Sequence, residues 1–134
     1  MTVKSYSLKI DTNKNFEIID ITSKINDLID VEKGIISIFS RHSTSAIVVN
    51  ENESGLLRDL EFTLNNLITD KFIYEHDRID NNATSHLNSF LLSSSECLPI
   101  KNNKLDLGTW QSVFFIELDG PRHNRTITLT IIGD

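Results

Sequence analysis

The stretch from Arg125 to Ile132, RTITLTII, limits most narrowly what this chain can fold into. Its aliphatic residues Ile127, Leu129 and Ile131 alternate with threonines, and a period of two places the two sets on opposite faces of a β-strand. The aliphatic face has to be buried, which one strand cannot achieve alone. The rest of the 134-residue chain must therefore supply further strands and a layer that covers them.

Several other segments have strand-like composition. VKSYSLKI and NFEIIDI are joined by the turn-like DTNKN, which predicts a β-hairpin. IISIFSRHSTSAIVVNE is rich in β-branched residues around the polar break SRHSTS, and it predicts strands near 35–41 and 45–50. ECLPIK and SVFFIEL complete the set of predicted strands.

Three helices are predicted between these strands. TSKINDLIDVEKG has an apolar face that ends at Gly34, and SGLLRDLEFTLNNLI carries one leucine-rich stripe. A shorter helix begins at Asn82 and is expected to bury Leu87, Phe90 and Leu91. Strands with grouped helices, and with neither GxGxxG nor GxxxxGK[ST] glycine loops, predict an α+β fold. We expect one domain over residues 1–134, a largely antiparallel sheet covered by two or three helices.

Charge and cysteine content exclude several classes of protein. The 19 acidic residues outnumber the 13 lysines and arginines, and the net charge of −6 argues against nucleic acid or an anionic membrane as partner. A few local arginines could still bind a small phosphorylated ligand. Cys97 is the only cysteine, and we expect a small core residue in a reducing compartment. No segment has the pattern of a signal peptide or membrane span, so a cytoplasmic protein is predicted.

Three of the four histidines lie in polar segments at the ends of predicted elements. His42 is in RHSTS, His76 is in YEHDR, and His86 is near the start of the short helix. If these imidazoles converge beside an open position, they would form a catalytic-type zinc site, although imidazole also suits iron, copper or nickel. The alternative is that each histidine is an ordinary surface or capping residue.

The segments next to His42 carry further candidates. Asn50 and Glu51 end a predicted strand, and Glu51 could act as a general base or a metal ligand. Ser43 and Thr44 supply hydroxyl groups beside His42. Because a serine and a histidine adjacent in sequence seldom form a nucleophile pair, serine hydrolase chemistry is not expected.

The scarcest residues stand at both ends of the apolar run Ser112 to Leu118. Trp110, the only tryptophan, precedes it with Gln111, and Arg122 follows it on a Gly-Pro turn. Trp110 could stack on a planar ring, whereas the guanidinium of Arg122 suits phosphate or carboxylate. A packed tryptophan and a surface arginine are the alternatives. Such a strand spans roughly 20 Å, so its two ends cannot contact the same small ligand.

Four motifs in order give the chain a resemblance to a known family. They are H-S-T-x-A-I followed by N-E, then N-x-x-S-H-L, L-G-T-W-Q and D-G-P-R, within residues 34–133. Together they resemble the YjbQ-like family of small proteins, described as secondary thiamine-phosphate synthases. The resemblance implies a compact α+β fold with sandwich-like sheets, assembled as a homotrimer. It also implies site residues: His42, His76 and His86 as metal ligands, Glu51 and Arg122 as catalytic groups, and Ser43, Thr44, Asn50, Trp110 and Gln111 as substrate-binding groups.

The implied activity joins an aminopyrimidine-methyl diphosphate to a thiazole phosphate and expels pyrophosphate. It requires neutralisation of the leaving diphosphate, by Arg122, with Arg125 as a further candidate, and by a divalent metal. Magnesium-diphosphate sites prefer carboxylate oxygens to histidines, so zinc and magnesium both stay open as the metal. Two alternatives remain. One is a hydrolase in which a histidine-bound metal activates water and Glu51 is the base, and the other is a non-enzymatic trimeric binding protein for a phosphorylated metabolite.

Overall fold

The computed structural model describes all residues from 1 to 134 and contains two sheets and three α-helices. The strands are β1 (Thr2–Ile10), β2 (Glu17–Asp20), β3 (Lys33–Ser40), β4 (Ser45–Glu51), β5 (Ser95–Lys101), β6 (Lys104–Leu105), β7 (Gln111–Glu117) and β8 (Arg125–Gly133). The helices are α1 (Thr22–Asn26), α2 (Ser54–Leu67) and α3 (Ala83–Leu92), and a 3-10 helix covers Glu75–Arg78. This architecture confirms the predicted α+β class.

The two sheets pack face to face. The larger has five strands in the order β1-β8-β3-β5-β6, the smaller has three in the order β2-β7-β4, and every pairing is antiparallel. Their inner faces meet in one cluster of 15 buried apolar residues. Ile38 and Leu129 join it from the larger sheet, and Ile47, Val113 and Phe115 join it from the smaller. The result is the expected sandwich-like arrangement.

The burial of β8 and β7 follows directly from their sequences. Ile127, Leu129 and Ile131 of β8 are fully buried, as their alternation predicts. β7 is apolar without alternation because both of its faces are covered. Val113 and Phe115 lie in the main cluster, whereas Phe114 and Ile116 pack with partly buried leucines of α2. The apolar run Ser112 to Leu118, which lies between Trp110 and Arg122, therefore supplies core residues.

The predicted hairpin of the first two strands is wrong. β1 pairs with β8 in the larger sheet, and β2 pairs with β7 in the smaller one. The segment between them crosses from one sheet to the other, and Oε1 of Glu17 accepts the N–H groups of Asn13 and Lys14 there. The polar composition of DTNKN indicated a turn correctly, but strands distant in sequence decide the pairing.

Of the first two helices, α1 is shorter and α2 is less buried than the sequence patterns indicated. α1 ends at Asn26, and Gly34, the predicted stop, lies in β3, where an added Cβ would meet the carbonyl oxygen of Ile132 at 2.1 Å. In α2 only Leu64 is fully buried, and the Glu53 side chain caps the helix. No helix combines the length and the apolar character that crossing a membrane requires.

α3 is rotated relative to the prediction. Its inner face is polar, because Ser89 Oγ donates to the carbonyl of Ser45 at 2.6 Å and Ser85 Oγ donates to that of Leu118 at 2.7 Å. Phe90 is 86% exposed and Leu91 is 53% exposed, although both were expected in the core. Leu87 is half-buried and Cys97 is exposed, so the expectation of a core cysteine was also wrong. Hydrogen bonds from Ser85 and Ser89 to carbonyls at the strand ends therefore position this helix, together with the buried Ala83 and with Leu92, which packs against the smaller apolar cluster.

Candidate functional site

A polar depression forms where three segments meet: the loop between β3 and β4, the start of α3 and the turn after β7. It is lined by no hydrophobic side chain. The lining residues are Arg41, His42, Ser43, Thr44, Asp80, Asn82, His86, Asp119, Arg122 and Arg125. Three of the four sequence motifs therefore converge on one surface, at one end of the sandwich.

A buried ion pair lies beneath this depression. Glu117 is fully buried and Arg125 is 5% exposed. Arg125 Nε donates to Glu117 Oε1 at 2.8 Å, and its Nη2 donates to Oε2 of the same carboxylate. Thr12 Oγ1 and the N–H of Asp119 also donate to Glu117, at 2.7 and 3.0 Å. Burial alone would raise the pKa of Glu117, but these hydrogen bonds outweigh it and hold the pKa below its ordinary value.

The ion pair fixes the loops that line the depression. Arg125 Nη2 donates to Thr44 Oγ1 at 2.9 Å, which holds the loop before β4. Thr12 Oγ1 accepts the N–H of Arg122 at 2.9 Å, which holds the turn after β7. Arg125 and Thr44 were candidates for ligand binding, but their side chains are committed to this internal network. Sequence reasoning assigned no role to Glu117 and Thr12, although a glutamate within SVFFIEL signals a buried carboxylate that needs a partner.

Arg122 presents part of its guanidinium to solvent. Its Nε donates to the carbonyl of Asp119 at 2.9 Å, and its Nη2 donates to Asp119 Oδ2 at 3.0 Å. Asn82 Nδ2 donates to the same carboxylate oxygen at 2.9 Å and holds it in place. A guanidinium has five N–H donors, so these two bonds leave three of them for a ligand. Asp119 therefore orients Arg122 without occupying all of it.

His76 and His86 form a pair beside this network. Their ring centroids are 4.6 Å apart and the rings are nearly perpendicular. His76 Nε2 lies 3.0 Å from Asn82 Oδ1. Because the carboxylate of Asp119 can only accept, Asn82 turns its amide NH₂ towards Asp119 and its Oδ1 towards His76. His76 Nε2 is therefore a donor in this contact.

The structure does not form the predicted three-histidine metal site. His42 Nε2 accepts the backbone N–H of Thr126 at 2.8 Å, and His76 Nε2 is bonded to Asn82, so neither nitrogen is open to a metal. No group of three or more His, Cys, Asp or Glu side chains is arranged to hold a metal ion. The three histidines do lie near one another, since His42 and His86 line the depression and His76 contacts His86.

The other predicted residues lie at the opposite end of β4 and β7. Ser45 is paired with Glu117 near the depression, whereas Glu51 is paired with Gln111 six residues further along. That spacing corresponds to roughly 20 Å. Asn50 and Glu51 line a separate crevice between β4 and α2, whose walls include apolar side chains. Glu51 is thus not in reach of a ligand bound at Arg122 of the same chain.

Trp110 and Gln111 precede the far end of β7. Trp110 is 72% exposed, as predicted for a stacking residue. Gln111 is also exposed, and its Oε1 accepts the N–H of Gly108 at 2.8 Å. Trp110 and Arg122 therefore lie beyond opposite ends of β7, as the length of the apolar run between them predicted.

Comparison with known proteins places this fold and its motifs in a family. A family model described as "UPF0047 protein YjbQ-like" matches residues 6–134. The chain belongs to the YjbQ-like family. A UPF0047 protein of Methanothermobacter thermautotrophicus is 48% identical to this YjbQ-like chain, over 99% of the chain and 94% of the relative. The UPF0047 protein YugU of Bacillus subtilis is 32% identical, over 95% and 98%.

Solved structures agree with this assignment. The crystal structure of a "YbjQ-like protein of unknown function" from Sulfolobus solfataricus matches with a TM-score of 0.94 and 37% identity, over 99% of both chains. A YjbQ/UPF0047 family protein of Clostridium acetobutylicum matches with a TM-score of 0.86 and 34% identity, over 96% of this chain and 99% of that one. The sandwich described here is therefore the fold of these YjbQ-like relatives.

Proposed function

We propose that the polar depression binds the phosphate or diphosphate group of a small metabolite. This proposal rests on the hydrogen bonding of Arg122. Its two contacts with Asp119 leave three guanidinium N–H donors free at a surface without apolar lining. Arg41 and Ser43 line the same surface, and both are exposed. A guanidinium fork beside a second arginine and a hydroxyl group suits the oxygens of a phosphate ester.

The first test is the affinity of the protein for pyrophosphate, measured by calorimetric titration. Arg122→Ala should weaken binding by about 1.5–3 kcal/mol, or roughly 10- to 150-fold, because it removes a charged hydrogen bond. Arg58→Ala is the matched control, since Arg58 is an exposed arginine on α2 and its loss changes the net charge equally. Equal affinities of the two variants would exclude Arg122 from the binding site.

The thiamine-phosphate synthase type of reaction is the chemistry that we propose for this site. Expulsion of pyrophosphate from an aminopyrimidine-methyl diphosphate needs fixed positive charge at the leaving group, which Arg122 and Arg41 would supply. Trp110 and Gln111 of the same chain lie too far away to hold the pyrimidine, so that platform would come from a neighbouring subunit. A metal-dependent hydrolase receives less support, because its three-histidine site is not formed and Glu51 lies at the far end of β4.

We also propose a homotrimer in the cytoplasm. Exposed apolar side chains near the depression support self-association, and they include Ile79 beside the 3-10 helix and Phe90 on α3, which are 77% and 86% exposed. The single exposed thiol of Cys97 fits a reducing compartment. Light scattering at micromolar protein concentration should give three times the chain mass of 15.2 kDa, and a monomer would contradict the assembly.

A further inference from the structure

The role of His42 follows from the partner of its ring. Nε2 accepts the backbone N–H of Thr126 at 2.8 Å. A backbone N–H can only donate, so Nε2 must carry a lone pair and no proton. In a neutral imidazole the proton is then on Nδ1. This tautomer is the less populated one for a histidine side chain free in water, so the protein imposes it.

The protonated nitrogen has no hydrogen-bond partner within the protein. Asn88 Oδ1 is the only buried side-chain nitrogen or oxygen without a hydrogen-bond partner in this structure. Nδ1 of His42 has no partner either, so it is reached by solvent instead of being buried. His42 lines the depression together with Arg41 and Arg122, and no carboxylate pairs with its ring. It is therefore an unused donor beside Arg41 and Arg122. Asp80 and Asp119 line the same depression, and Asp119 is paired with Arg122.

We propose that His42 is a neutral hydrogen-bond donor that gives its Nδ1–H to an oxygen of the phosphate bound at Arg122. This inference rests on the proposed phosphate site and adds a residue and a specificity rule to it. A ring nitrogen that carries a proton has no lone pair for a metal. The ligand must instead present an acceptor oxygen at this position, as the non-bridging oxygens of a phosphate ester or a diphosphate do.

The electrostatic surroundings keep the donor neutral. Burial lowers the pKa of His42 below its ordinary value, and nearby positive charge, Arg125 foremost, acts in the same direction against the opposing charge of Glu117. Arg122 and Arg41 lower the pKa further. A neutral donor does not repel these arginines, so all three groups can face one ligand without the cost of a third positive charge.

The first experiment measures the tautomer in the free protein. Long-range ¹H–¹⁵N NMR spectra of the histidine rings should be recorded at a pH where the imidazoles are neutral, with a blocked histidine in the same buffer as reference, because Nδ1 of His123 lies 3.6 Å from Asp11 Oδ1. We expect His42 to be protonated on Nδ1 and the blocked histidine mainly on Nε2. A His42 ring protonated on Nε2 would overturn the inference whatever the protein binds.

The second experiment asks whether pyrophosphate uses this donor. Saturating pyrophosphate should shift the Nδ1–H resonance of His42 downfield and leave the ring ¹⁵N shifts of His123 unchanged. His42→Gln keeps an oxygen that can accept the Thr126 N–H but has no donor at the Nδ1 position, because its NH₂ group lies further out on the side chain. It should therefore weaken pyrophosphate binding roughly two- to tenfold with a melting temperature near wild type. His42→Asn, which retains a donor close to the Nδ1 position, should recover part of the affinity.

The outcomes separate this inference from the proposed function. The donor role would be overturned, and the phosphate site left intact, by one pattern of results. In that pattern the affinity for pyrophosphate depends on Arg122, but pyrophosphate does not change the His42 ring resonances and His42→Gln does not change the affinity. Failure of the wild-type protein to bind pyrophosphate would overturn both. A loss of affinity in His42→Gln together with the Nδ1 shift would support both.

Discussion

Arg125→Leu is expected to lower the free energy of unfolding by about 3–5 kcal/mol, the largest effect of any substitution considered. The reason is that Glu117 is fully buried and would keep its charge without the bidentate partner that now neutralises it. Thr44 Oγ1 would lose its donor at the same time. Chemical denaturation of wild type and variant measures the difference directly.

The double variant Glu117→Leu/Arg125→Leu is the matched control. It removes both charges, so it should be more stable than Arg125→Leu alone, although Thr12 and the N–H of Asp119 then lack their acceptor.

The pH dependence of stability gives a second comparison. The folded pKa of Glu117 lies below its ordinary value of 4.5, so the stability that its charge contributes is present above pH 4.5 and is lost as pH falls through the folded pKa. The double variant should therefore lose less stability in acid than wild type. A double variant as unstable as the single one would show that the ion pair is not the cause.

Gly120→Ala should be the second most damaging change. A Cβ at this position would stand 2.2 Å from the carbonyl oxygen of Lys14 and 2.7 Å from Glu117 Cγ, so backbone would have to move. Overpacking of this kind costs typically 1–3 kcal/mol, and the movement would also displace Arg122, which follows on the same turn. We expect a lower melting temperature and weaker pyrophosphate binding in the same variant.

Gly55→Ala serves as the control for Gly120→Ala. Gly55 is in the first turn of α2, and an added Cβ there would approach only the flexible carboxylate of Glu53, at 3.1 Å. Alanine favours a helix over glycine by roughly 0.5–1 kcal/mol, so this variant should keep its stability and its pyrophosphate affinity. Equal losses in the two glycine variants would remove the special role given to the turn after β7.

The sequence predicted those parts of the fold that local patterns determine. The alternation in RTITLTII and the continuous apolar run in SVFFIEL identified β8 and β7, because the periodicity of a strand depends only on which faces are buried. The hairpin prediction failed because pairing partners are chosen by packing across the chain. The inner face of α3 was misassigned because Ser85 and Ser89 bond to carbonyls at the strand ends, and no helical periodicity reports such contacts.

The candidate site was predictable in its membership but not in its geometry. The motif residues His42, Ser43, His86 and Arg122 do converge. Their roles depend on partners outside the motifs, since Thr126 fixes the ring of His42 by a backbone N–H that has no sequence signature. For the same reason the expected metal site was not formed. Side-chain identity indicates what a residue can bind, whereas its neighbours decide which atom remains available.

The most direct test of the phosphate site is a crystal structure of the protein with pyrophosphate. The prediction is electron density for the anion within hydrogen-bond distance of the Arg122 guanidinium and of His42 Nδ1, with Glu117 and Arg125 still paired beneath it. Density for pyrophosphate beside Trp110 and Gln111 instead, with the surface around Arg122 empty, would contradict the assignment of this depression as the phosphate site.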